Sequence, residues 1–108
     1  MTLRERDVRS QITDWLSRYG YFWEPLHSGA ARMASGNFTR FGTPGRADLL
    51  VVFGGHAVFV EIKAPDGRQS DKQKVFEQRV NAAGAVYVLA RSLEDVIEQV
   101  RPLQSEAR

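Results

Sequence analysis

An α/β sandwich, with one mixed four-stranded sheet between helices, is predicted by three observations along the chain. Two apolar runs, Leu49-Leu50-Val51-Val52-Phe53 and Ala57-Val58-Phe59-Val60, meet across Gly54-Gly55. They are rich in β-branched and aromatic residues, and a Gly-Gly connection suits the primed turns of antiparallel hairpins. The second run is apolar on both sides, Val58, Val60 and Ile62 alternating with Ala57 and Phe59, so helices should cover both sheet faces. A third run, Val86-Tyr87-Val88-Leu89, follows a helical stretch. A strand–helix–strand crossover makes that last pairing parallel and right-handed.

Each element follows from local pattern. Residues 4–19 read as a helix with Val8, Ile12, Leu16 and Tyr19 on one stripe, Trp15 beside it and Gly20 as the stop. Tyr21-Phe22-Trp23-Glu24 reads as a short strand closed by Pro25, its aromatics belonging to the core more naturally than to a base-stacking surface. Residues 26–47, rich in Gly, Ala, Ser, Thr and Arg, read as a long basic loop, with Phe38-Thr39-Arg40-Phe41 a candidate strand inside it. Structureless loops of about 20 residues are uncommon in small domains and often functional. Pro65-Asp66-Gly67 is a turn, and Ser70 starts a helix reaching about residue 83, with Phe76, Val80 and Ala83 inward and Gly84 as its stop. The final helix starts at Ser92, carries Leu93, Val96, Ile97 and Val100, and should end at Pro102, leaving 103–108 as a frayed tail. The order is αβββαβα.

The 108 residues suffice for a single domain, 1–108, with one core. No apolar stretch approaches the roughly 20 residues of a membrane span, and the charged N-terminus lacks the apolar segment of a signal peptide. Without cysteine there is no disulfide framework, thiolate zinc site or cysteine nucleophile. His27 and His56 are too few and too scattered for a histidine-based zinc site. A cytoplasmic location is the simplest expectation. Net charge is only +2, from 15 basic and 13 acidic residues, but its distribution is uneven. From His27 to Ala47 there is no acid, while Arg32, Arg40 and Arg46 are present. Such a segment is either a phosphate-facing element or a solvated arginine-bearing loop.

The chemistry concentrates around the hairpin. With the turn centred on Gly54-Gly55, Phe53 faces His56, and counting back sets Asp48 opposite Glu61. Opposed residues have β-carbons about 4.5–5.5 Å apart, and like charges there are destabilising without a cation between them. Alternation sends Lys63 to the same face as Glu61. Oxygen ligands favour hard ions such as Mg²⁺ or Mn²⁺, and the Ile62 backbone carbonyl would add a further oxygen. Lys63 could orient an attacking water or offset charge developing on a phosphate. The structural alternative is an Asp48 that caps a strand entry beside a solvated Glu61–Lys63 pair. Glu5 borders the buried stripe of the first helix, either as a third carboxylate or as an acid complementing the helix dipole. Gln73 completes a Ser-x-x-Gln capping box with Ser70, which explains both residues, and an amide facing Lys63 or the scissile phosphate is the functional alternative. Arg68, just before that helix, would meet a phosphate or only solvent.

These residues resemble the PD-(D/E)XK nuclease superfamily: an acid opening one strand, Glu61-Ile62-Lys63 on the next, then Gly67-Arg68-Gln69-Ser70-Asp71-Lys72-Gln73 entering a helix. The last stretch looks like the virus-type replication-repair nuclease (VRR-NUC) branch. The resemblance spans Glu5 to about Val96 and implies a restriction-endonuclease-like fold. It implies Glu5, Asp48, Glu61, Lys63 and Gln73 as catalytic residues, with Asp48, Glu61, the Ile62 carbonyl and Glu5 as metal ligands. Ala47 departs from the proline usual before the first acid, a change in backbone rigidity alone. The resulting expectation is a Mg²⁺- or Mn²⁺-dependent endonuclease, a homodimer acting in DNA repair on branched DNA such as Holliday junctions. Arg32, Arg40, Arg46 and Arg68 would contact phosphates, so binding should weaken as salt rises. The alternatives are a catalytically inactive DNA-binding or assembly module and a sequence-specific restriction-type nuclease, for which no base-reading element is visible.

Overall fold

The computed structural model describes residues 3–27 and 29–106, excluding the side chains of 29–32, 39–41 and 104–106. Helix α1 (Glu5–Arg18) buries Val8, Ile12 and Leu16, the stripe its periodicity predicts. Tyr19 is a correction: it is the C-cap residue, 63% exposed, because the helical path ends there. Its ring packs 5.7 Å from that of Trp15 instead.

Strand β1 (Phe22–Pro25) includes the proline expected to stop it, with Pro25 opposite Leu49. An edge strand tolerates that, since one side of its backbone needs no partner. Phe22 lies exposed, contrary to its assignment to the core, whereas Tyr21 and Trp23 pack against it. The stretch predicted as a long loop contains β2 (Gly29–Arg32) and β3 (Phe38–Phe41), paired antiparallel as a separate two-stranded sheet. The Phe38–Phe41 strand was legible; its Gly-Ala-Ala-Arg partner has little β propensity of its own.

Next come β4 (Leu49–Phe53) and β5 (His56–Ile62), with Phe53 opposite His56. Both turn glycines take positive φ, 51° and 82°, as a type I′ connection requires. Helix α2 (Asp71–Ala82) carries the chain over to β6 (Val86–Ala90), which pairs parallel to β5, as the crossover predicts. Ala83, expected inward, is exposed at the end of α2. Helix α3 (Leu93–Glu106) closes the fold. It runs through Pro102 instead of ending there, forgoing the backbone hydrogen bond that a proline cannot donate, about one turn before its end.

The main sheet has the order β1-β4-β5-β6. Leu49, Val51, Phe53, Val58, Val60, Ile62 and Val88 form one face with the buried stripes of α1 and α3. Fully burying such side chains contributes about 1.5–3 kcal/mol each. The other face packs Tyr87, Phe59 and Leu89 beneath Val80 and Phe76 of α2. Helices therefore cover both sides of β5, as its two-sided apolarity predicts. No described helix is long and apolar enough to cross a membrane. Among the described residues, one charged side chain interrupts this interior: Glu61, 3% exposed, beneath the start of α2.

Candidate metal centre

The β4–β5 ladder runs from Phe53–His56 to Leu49–Val60 and stops one pair short of Asp48 and Glu61. Asp48 lies in a bend, its N–H donating to the Val60 carbonyl at 3.0 Å. The predicted register therefore holds up to Leu49, and Asp48 steps off it. Its side chain takes over where the strand ends: Oδ2 accepts from the Ile62 N–H at 2.7 Å. Oδ1 accepts from Arg9 Nη2 at 3.0 Å, and the Asp48 carbonyl accepts from the Leu26 N–H at 2.8 Å. The carboxylate is thus anchored by β5 on one oxygen and bridged to α1 on the other. A strand residue's N–H and C=O point the same way, so the Ile62 carbonyl also faces the Asp48 side.

Glu61 is held at one oxygen only. Oε2 accepts from Gln73 Nε2 at 3.0 Å and lies 3.7 Å from Lys63 Nζ. Oε1 is buried without a hydrogen-bond partner among the described residues. Burial, then the nearby Asp48 charge, pushes the Glu61 carboxyl up to about 8, against the opposing pull of Lys63. The charge of Glu5 raises it further. Two carboxyl groups in such contact either share a proton or hold a cation.

Gln73 forms the capping box weighed for it, while its amide faces Glu61 where Lys63 or a phosphate was the expected neighbour. Its Oε1 accepts from the Ser70 N–H at 2.8 Å and its N–H donates to Ser70 Oγ at 3.2 Å, completing the capping box. Its amide nitrogen then faces Glu61. The approach to Asp48 is pressed against this same helix start. Gly45 has φ +75°, and a β-carbon there would overlap the Lys72 carbonyl and lie 2.7 Å from the Gln73 nitrogen. On the far side of the site, Arg91 donates from Nε and Nη2 to the Gly67 carbonyl at 3.2 and 3.0 Å, tying the turn before α2 to the end of β6.

The structure thus brings together Asp48, Glu61, Lys63, Gln73 and the Ile62 backbone. Glu5 is exposed at the first position of α1 and is the weakest of the influences on Glu61. Among the described residues, no three His, Cys, Asp or Glu side chains gather as a metal-holding group. Arg46 donates from Nη1 to the His27 carbonyl at 2.8 Å, strapping the base of the β2–β3 hairpin, while Arg68 is exposed. Arg32 and Arg40 lie on β2 and β3, with side chains outside those described. Arg9 is the residue that sequence reasoning missed. Its signal was present: it follows Glu5 by four, so a helix edge that aims one toward the site aims the other as well. Compared with protein-family models and with curated proteins, the chain matches none.

Proposed function

We propose that this chain is a divalent-metal-dependent endonuclease of restriction-endonuclease-like fold, hydrolysing DNA phosphodiesters in branched substrates such as four-way junctions. The observation that carries this reading is Glu61, a buried acid with one oxygen unpartnered among the described residues and a second carboxylate beside it. Leaving a buried polar group unsatisfied costs roughly 1–3 kcal/mol, and more for a charge, so a group that completes it is expected. The donor set of Asp48, Glu61 and the Ile62 carbonyl is all oxygen, which suits Mg²⁺ or Mn²⁺. When bound, such an ion supplies Lewis-acid polarisation of a phosphoryl oxygen and a lowered pKa for water.

The protein's own part is positioning. Gln73 fixes Glu61, and the Ile62 N–H fixes Asp48. Lys63, with a side chain 15% exposed, sits where it can orient a nucleophile or offset charge on a departing oxygen. Glu5 would add a third carboxylate from α1. With the β2–β3 hairpin set aside, the element order is the αβββαβα that the resemblance implies. The exposed cross-strand pair Phe22–Val52, 57% and 38% accessible, offers an apolar face for the homodimer this reading includes. A cytoplasmic setting in DNA repair completes it.

The test compares wild type with Lys63→Ala and Asp48→Asn on a junction, a flap, a duplex and a single strand, in Mg²⁺ and in Mn²⁺. Loss of a charged group aimed at the reacting phosphate should slow cleavage by about 10²-fold or more. Wild-type nicking by either variant refutes the assigned site.

One observation favours a second reading, a DNA-binding or assembly module without turnover. Both Asp48 oxygens are already engaged, by Arg9 and by Ile62. Calorimetry that detects branched-DNA binding but no Mg²⁺ binding and no cleavage would select it.

A further inference from the structure

Beyond Glu61 on the same sheet face, β5 carries Phe59, two residues back and so about 6.6–6.8 Å along the strand. Phe59 lines a cleft of about 510 Å³ between α2 and the 42–46 turn, together with Phe76, Arg79, Val80 and Arg46. The Phe59 and Phe76 rings meet edge-on, 5.6 Å apart at 74°. Arg79 is exposed, and its side chain makes no hydrogen bond or ion pair among the described residues. Arg46 commits Nη1 to the His27 carbonyl, and the rest of its guanidinium fork remains. No acid is among the described residues lining the cleft. Gly45, seated on Lys72 and Gln73, joins the wall of this cleft to the helix start that holds Glu61.

We infer that this cleft is a nucleotide subsite, taking a base against Phe59 and Phe76 and its phosphate on Arg46 and Arg79. Aromatic walls suit the π-face of any base, and guanidinium forks match phosphate oxygens in pairs. Two cations at the rim disfavour a purely apolar partner. A bare anion would leave the rings unused, and an acidic peptide brings no flat group to lie on them. The inference rests on the nuclease reading for why a nucleic-acid strand should lie here, one strand step from Glu61, but its test does not use cleavage.

The experiment is an amide-shift titration of metal-free protein with deoxyadenosine monophosphate, deoxyadenosine and inorganic phosphate, following Gly42, Thr43, Ala83 and Ala85. The monophosphate should move these signals saturably, with the nucleoside and phosphate each binding about tenfold more weakly or worse. Arg79→Gln should weaken the monophosphate about tenfold, and Phe76→Leu should weaken the nucleoside while sparing phosphate. Unmoved cleft signals, phosphate binding as tightly as the nucleotide, or an Arg79→Gln protein of wild-type affinity would each overturn the inference. The last outcome would leave Arg79 as a complement to the α2 dipole. Cleft binding in a protein that cuts no DNA would sink the nuclease reading and spare the subsite; cleavage with a silent cleft would do the reverse.

Discussion

Replacing Glu61 by glutamine should stabilise the metal-free protein, by an amount that grows with pH. The carboxyl is displaced from 4.5 to about 8 by burial first and Asp48 second. Its folded-state value is therefore raised, so stability is fully present below about 4.5 and declines as pH rises toward 8. In that window the folded protein keeps a proton that the unfolded chain has released. At about 1.36 kcal/mol per pH unit, the loss is on the order of 3 kcal/mol at pH 7 and on the order of 4–5 kcal/mol above pH 8. Glu61 is 3% exposed, so solvent screening takes little from these figures. Against a typical stability of about 5–15 kcal/mol, that is a large share. Glutamine preserves the shape and the acceptor facing Gln73, and its amide can donate to Asp48, mimicking the protonated acid. The assay is urea unfolding of both proteins in EDTA from pH 4 to pH 9. The expected difference is near zero at pH 4, climbs between pH 4.5 and 8, and is flat above. A difference constant with pH, or a variant less stable than wild type at pH 8, would refute the reasoning.

Three further outcomes are expected. Mg²⁺ should raise wild-type stability by about 2.7 kcal/mol at one hundred times its Kd and leave Glu61→Gln unchanged; apparent affinity should also fall about tenfold per pH unit below pH 8, because the ion must displace the Glu61 proton. Thermal shifts and calorimetry across pH read both effects. Arg9→Gln should tighten Mg²⁺ binding by freeing Asp48 Oδ1, while costing under about 1 kcal/mol of metal-free stability, since the Arg9 side chain is 38% exposed; calorimetry beside urea melts separates the two. Gly45→Ala should destabilise by about 1–3 kcal/mol in urea melts, through a left-handed backbone and overlap with the start of α2.

The main sheet was legible because its signals are local and agree with one another. Gly54-Gly55 sets the hairpin register, two-sided alternation calls for helices on both faces, and Ser70-x-x-Gln73 marks a helix start. The carboxylate pair was legible by counting back from that turn. What escaped depends on tertiary context. The pairing of β2 with β3 rests on a β2 of weak propensity, and α3 continues through Pro102 although proline has no N–H to donate to the turn before it. The bend at Asp48 reflects a side chain capturing the Ile62 N–H, a choice that no periodicity encodes. Arg9 was readable only once Glu5 was taken to face the site, since the two lie one turn apart on α1.

The doubly engaged amide of Gln73 has a bearing on which residue that position accepts. Capping boxes take glutamate as readily as glutamine, since either offers an oxygen to the backbone. Here the second oxygen of a glutamate would point at the buried acid, substituting repulsion for a donated proton. The helix would begin just as well, yet the strand beneath it would lose its brace. A swap that is conservative for folding is therefore disruptive for the chemistry, and it separates the two at a single atom.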